Sequence, residues 1–117
     1  MIKNYNGKKL GVTSSHRKSL IRNMAIKLSI YESIRVTLPR AKELVSFFEK
    51  LITRAKKSDL NSIRIVNKKI NDKTVVKKIF DVLMPRYKNR NGGYTRIIKD
   101  NIRRGDNANI VIVRLVS

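Results

Sequence analysis

The 117-residue chain has no cysteine, no tryptophan, one histidine, two prolines and only eight acidic residues. Without cysteine there is no disulfide, no thiolate nucleophile and no cysteine-held zinc or iron–sulfur cluster. One histidine and eight scattered carboxylates make no metal-ligand cluster in the sequence, so neither a metal nor a cofactor is expected. No stretch approaches about 18 uninterrupted apolar residues, and the opening MIKNYNGKKL lacks the apolar run of an export signal. The expectation is a soluble, cytoplasmic protein without a membrane partner. What is scarce on the acidic side is abundant on the basic side: 28 Lys+Arg give a formal net charge of +20, and the pI is about 11.0. Such an excess repels itself in the folded state and calls for a partner of opposite sign, nucleic acid first and an anionic membrane second. The length fits one domain, and a hydrophobic share of 41% is enough for a small core.

Residues 1–12 are polar and basic and include Gly7 and Gly11, which predicts an extended basic arm. The remainder, 13–117, reads as a single basic domain of α+β class. Thr13, Ser14 and Ser15 offer hydroxyls to cap a helix start. Leu20, Ile21, Met24, Leu28 and Tyr31 then fall in one helical stripe, with Ile26 and Ile30 off it. SIRVTL (33–38) alternates as a strand does, and Pro39 suits the first turn of the next helix. There Ala41, Leu44, Val45, Phe48, Leu51, Ile52 and Ala55 keep three-four spacing. Asp59 and Asp72 are placed to cap two further helices, one carrying Leu60, Ile63, Val66 and Ile70, the other Val75, Val76, Ile79 and Leu83, with Pro85 as its stop. YTRIIK and NIVIVRLV are β-rich and joined by the turn-rich DNIRRGDNA. The predicted architecture is several helices packed on a small, about three-stranded mixed sheet.

Four stretches invite a functional reading. Ser15-x-x-Lys18 has the spacing of a serine acyl-transfer motif, but its partner motifs are missing and the chain is too short for that fold. Capping explains the serine, and Lys18 belongs to a basic helix start. His16 as a general base needs an orienting carboxylate and a nucleophile, and the nearest acid in sequence is Glu32. A ring meeting a nucleic-acid backbone fits it better. Arg104-Gly105-Asp106 spells an integrin tripeptide, yet reads as turn chemistry with Arg103 and Arg104 as phosphate contacts. PRYKNRNGGYTR alternates Arg86, Lys88, Arg90 and Arg96 with two tyrosines around a double glycine. Tyrosine stacking on an unpaired base beside arginines on phosphate is a pairing typical of irregular RNA.

Taken together, TSSHRKSLIRNMA, ESIRVTLPRAKEL, EKLITRAKK, GGYTRIIK and RRGDNANIVIVRLV resemble, in order and over about 10–116, the bacterial large-subunit ribosomal protein L17 family. The resemblance implies a structural, non-enzymatic protein with no small-molecule substrate. Its implied partners are large-subunit rRNA and neighbouring ribosomal proteins. Carried over residue by residue, the rRNA contacts it implies are His16, Arg17, Arg22 and Asn23 in the first helix, Arg40 and Lys42 at the second helix start, Tyr94 and Arg96 after the double glycine, and Arg103 and Arg104 in the hairpin. The opening Met1-Ile2-Lys3-Asn4 departs from the family's usual Met-Arg-His-Arg, so nothing is carried over there. The rival reading is a DNA-binding nucleoid or regulatory protein, which calls for a helix-turn-helix pair and duplex preference, whereas the basic residues are spread along the whole chain.

Overall fold

A computed structural model describes residues 14–116 of the chain. The predicted arm over 1–12, and Thr13 of the expected cap, lie outside the described residues. Helix α1 (Ser14–Tyr31) buries Ile21, Met24, Ala25 and Leu28 along one face. Ser29 joins that face because its hydroxyl donates back to the Ala25 carbonyl at 2.9 Å. Tyr31, expected on the buried stripe, is 71% exposed. The helix stops there: Glu32 takes a left-handed φ of 62°, and its N–H still donates to the Leu28 carbonyl at 2.8 Å.

That turn sends the chain into strand β1 (Ser33–Thr37) and at once into helix α2 (Leu38–Ala55), with Pro39 in its first turn. A proline costs nothing there, since the first N–H groups of a helix have no internal partner. Ala41, Leu44, Phe48, Leu51, Ile52 and Ala55 of α2 are buried, and α2 forms the middle of the core. Helix α3 (Leu60–Ile70) is capped by the Asp59 carboxylate, which accepts the Ser62 N–H at 2.6 Å. Helix α4 (Lys73–Lys78) is capped by Asp72, which accepts the N–H groups of Thr74 and Val75. Leu60 and Ile63, expected in the core, are 63% and 40% exposed. The helix rests instead on Val66 and Ile70, four residues apart, with Ser62 one turn before them.

Pro85 lies inside the last helical turn rather than just beyond it. The segment Ile79–Leu83 is wound as a π-helical turn, with the Met84 N–H donating to the Ile79 carbonyl, and α5 (Met84–Arg86) continues through the proline. A proline lacks the N–H that the carbonyl four residues back would accept, and its ring crowds that carbonyl. The wider π turn loosens the ladder where the ring must fit. The helical run nevertheless ends within a residue of it, at Arg86.

Strands β2 (Thr95–Ile102) and β3 (Asn109–Leu115) form a hairpin, and β1 pairs on the far side of β3, giving the order β1-β3-β2. The three strands are as expected, but the sheet is wholly antiparallel rather than mixed. The hairpin fixes the sense of β2 against β3, and β1 docks antiparallel on the far edge of β3. Val111, Val113 and Leu115 are buried against the helices, so the alternate residues Ile110, Ile112 and Arg114 turn to the open face. Arg35 and Arg96 share that face through the pairs Arg35↔Ile112 and Arg96↔Arg114. A bulge between Lys99 and Asn101 frees Asp100, whose carboxylate reaches Arg35 at 2.6 Å.

Candidate nucleic-acid interface

Eight carboxylates cannot neutralise 28 cations, and six of the eight are committed to holding the fold. Asp59 and Asp72 cap helices. Glu49, on α2, accepts the Tyr94 N–H at 3.2 Å with one oxygen; with the other it accepts the Thr95 N–H at 3.1 Å and the Thr95 hydroxyl at 2.8 Å. Glu32 pairs with Arg86 and, at 3.7 Å, with Lys78; these cations, the Arg86 hydrogen bond first, hold its carboxyl below the usual range. Asp100 takes Arg35, and Asp106 takes Arg103. The sequence reading missed these acids as site residues because it looked for cations. Their signal is scarcity: a rare acid in a basic chain is a candidate organiser.

On α1, His16 and Lys18 in its opening turns and Asn23 at its middle are exposed, and Arg17 is half-buried. Arg22 bridges elements, its Nε donating to the Lys69 carbonyl at the end of α3 at 3.0 Å, where a cation also meets the negative end of the helix dipole. Arg40, in the first turn of α2, which holds no acid, and Lys42, just after that turn, are exposed. Cations beside a helix N-terminus add to the positive pole of the dipole and make a field that favours phosphate. Register Thr37↔Ile110 sets this helix start at the same end of the sheet as the hairpin tip.

That tip carries Arg103 and Arg104. The Arg103 fork is occupied: Nε donates to one oxygen of Asp106 at 3.0 Å and Nη2 to the other at 2.6 Å. The same carboxylate accepts the Ala108 N–H at 3.3 Å, and the Arg103 carbonyl accepts the Asn107 N–H at 2.9 Å where the chain turns left-handed, at φ 59°. Arg103 therefore braces the tip, while Arg104 is exposed on it.

The loop over 86–94 differs most from expectation. Tyr94 is 1% exposed and Tyr87 equally buried, their rings 5.1 Å apart and tilted by 49°. The Tyr87 hydroxyl donates to the Val116 carbonyl, and burial pushes that phenol up. The Tyr94 hydroxyl lies 3.4 Å from that of Thr53 and accepts from Lys56 Nζ at 3.2 Å. The expected stacking of Tyr94 on a base is thus corrected: a ring closed into the core has no face to offer. Arg86 is held by Glu32. Arg90 curls its Nε onto the Gly93 carbonyl at 3.1 Å, and its own carbonyl accepts from Lys56. Gly93 sits at φ 64° and Gly92 at φ 103°, backbone that side chains rarely adopt. Arg96 stands apart from this loop's tip, on the open face of β2 beside Arg114.

The cations therefore gather at two ends of the sheet and along the helices rather than in one patch. Among the described residues no helix is long and apolar enough to cross a membrane, and no group of three or more His, Asp or Glu is placed to hold a metal ion.

Comparison with known proteins matches residues 20–116 to the family model described as Ribosomal protein L17. Three relatives carry the description "Large ribosomal subunit protein bL17". The one from Endomicrobium trichonymphae is 61% identical over 117 residues, the full length of both chains. The one from Rickettsia typhi (strain ATCC VR-144 / Wilmington) is 52% identical over 110 residues, 94% of this chain and 80% of the relative. The one from Campylobacter concisus (strain 13826) is 51% identical over 110 residues, 94% of this chain and 93% of the relative.

Proposed function

The chain belongs to the ribosomal protein L17 family, and on that premise we propose how it serves as a structural constituent of the large ribosomal subunit in translation. It holds large-subunit rRNA through exposed cations at helix starts and loops, in the cytoplasmic ribosome and beside neighbouring ribosomal proteins. The role is structural rather than catalytic. The observation that carries the rRNA contact is the division of labour among charges: six of eight acids face inward tasks, leaving an outward field dominated by a formal +20. His16, Arg17, Lys18 and Asn23 on α1 form one contact region. Arg40, Lys42 and Arg104 at the hairpin end form a second, and Arg90 and Arg96 form a third at the opposite end of the sheet. Arg22, Arg86 and Arg103 hold the elements in place while keeping their remaining N–H groups for phosphate. Cations on several helices and both loops suit an irregular, folded RNA better than a DNA groove read by one helix.

Each phosphate neutralised releases roughly 0.7–0.9 of a counterion, so affinity falls steeply with salt. Filter binding of the full chain to large-subunit rRNA between 50 and about 300 mM salt measures this slope. The wild type is expected to fall linearly on a log–log plot, and Arg104→Gln to reduce the slope by about one while melting unchanged. A wild-type slope near zero would overturn the proposal.

A further inference from the structure

A cleft of about 550 Å³ opens where α1 ends against the sheet, lined by Tyr31, Glu32, Ser33, Arg96, Arg114 and Val116. Two of its features have no use within the fold. Arg96 and Arg114 lie directly opposite each other on β2 and β3, and like charges in that position destabilise a sheet. Neither has an ion-pair partner among the described residues, although Arg35, on the same face, is held by Asp100. Tyr31 is the second feature: it is 71% exposed, whereas Tyr87 and Tyr94 are closed into the core. A large ring left in water beside two guanidinium groups without an ion pair among the described residues is an arrangement that a bound group with one flat apolar face and one negative charge would satisfy.

We infer that this cleft takes one unpaired nucleotide of RNA, its base on the Tyr31 ring and its phosphate between Arg96 and Arg114. The inference rests on the rRNA-binding reading and specifies one site within it. Two arginines fork onto the oxygens of a single phosphate, and the Ser33 hydroxyl, in register with Arg114, adds a donor beside them. A base stacks on an aromatic ring only when it has left its own stack, so an A-form duplex, whose bases are hidden, does not fit. An acidic peptide would meet the arginines and leave the ring unused. The Glu32 carboxylate also borders the cleft, but Arg86 and Lys78 hold it, and together the three groups carry a net positive charge.

The test uses the full chain with a single-stranded 12-nucleotide RNA containing 4-thiouridine, and with the same strand annealed into a duplex. Irradiation followed by peptide mapping is expected to place a crosslink on Tyr31 from the single strand and not from the duplex. Tyr31→Leu is expected to weaken single-strand binding by about fivefold or more, the low end of what one stacked base contributes, with duplex binding unchanged. Tyr31→Phe should restore it. Arg96→Gln with Arg114→Gln should lower the salt slope for the single strand by about one. All these side chains are on the surface, so melting curves should superimpose. Equal single-strand affinity of wild type and Tyr31→Leu, or crosslinks confined to other peptides, would overturn the nucleotide site while leaving rRNA binding in place. If Tyr31→Leu instead lost a contact to a protein of the large subunit with RNA binding intact, the cleft would be a protein site and the inference wrong. Failure of the wild type to bind either RNA form would remove both readings together.

Discussion

Asp106 sits in the hairpin tip beside two arginines expected to meet phosphate, and the bidentate bond from Arg103, followed by the Ala108 N–H, holds its carboxyl down to about 2. A carboxyl held below its unfolded value adds stability above that value, which is lost as pH falls through the folded one. Because the group is exposed, the tip rather than the whole fold should feel this. In an NMR titration the Asp106 carboxyl carbon is expected to turn over near 2 in the wild type, and nearer the ordinary 3.9, approximately, in Arg103→Ala. An unchanged midpoint in the variant would mean the brace does not exist in solution. Tyr94 makes the complementary case. If its buried ring is core, Tyr94→Ala should cost about 3–5 kcal/mol in urea unfolding; a loss near zero would restore it as a surface contact. Its misreading has a simple cause: tyrosine is amphipathic, and the sequence PRYKNRNGGYTR does not say which way the ring turns.

The elements were legible where capping or periodicity decided them. Asp59 and Asp72 start their helices as read, and the α2 stripe is buried nearly as written, with Val45 only half covered. Asp72→Ala is expected to cost about 1 kcal/mol by thermal or urea melting, since two N–H groups lose their acceptor. What escaped needs tertiary information. Leu60 and Ile63 have the right spacing for a core, but only Val66 and Ile70 have something to press against. Likewise Tyr31 ends a helix whose left-handed exit at Glu32 is not a glycine and so gives no sequence signal. Pro85 was read by the usual rule, and the π turn before it is a local exception to that rule. The antiparallel pairing of β2 with β3 followed from the hairpin, but the antiparallel sense of β1 and the central place of β3 depend on where β1 docks.

For the whole molecule, charge, family and the two capping acids could be read from the sequence, whereas the long-range duties of Glu32, Glu49 and Asp100 could not. Contacts such as Glu49 on the start of β2, Glu32 on Arg86 and Asp100 on Arg35 join residues 46, 54 and 65 positions apart, with no local pattern linking them. They explain how a chain of net charge +20 folds at all: the few anions sit where elements meet, and the surplus cations are left for an external polyanion. The central claim is that this polyanion is the rRNA of the large subunit. The most direct measurement is cosedimentation of the tagged full-length chain from a bacterial lysate on sucrose gradients, at low salt and after a high-salt wash. A structural subunit protein is expected to comigrate with the large subunit and to stay there through the wash. Release into the top fractions at moderate salt, or migration with nucleoid DNA, would contradict it.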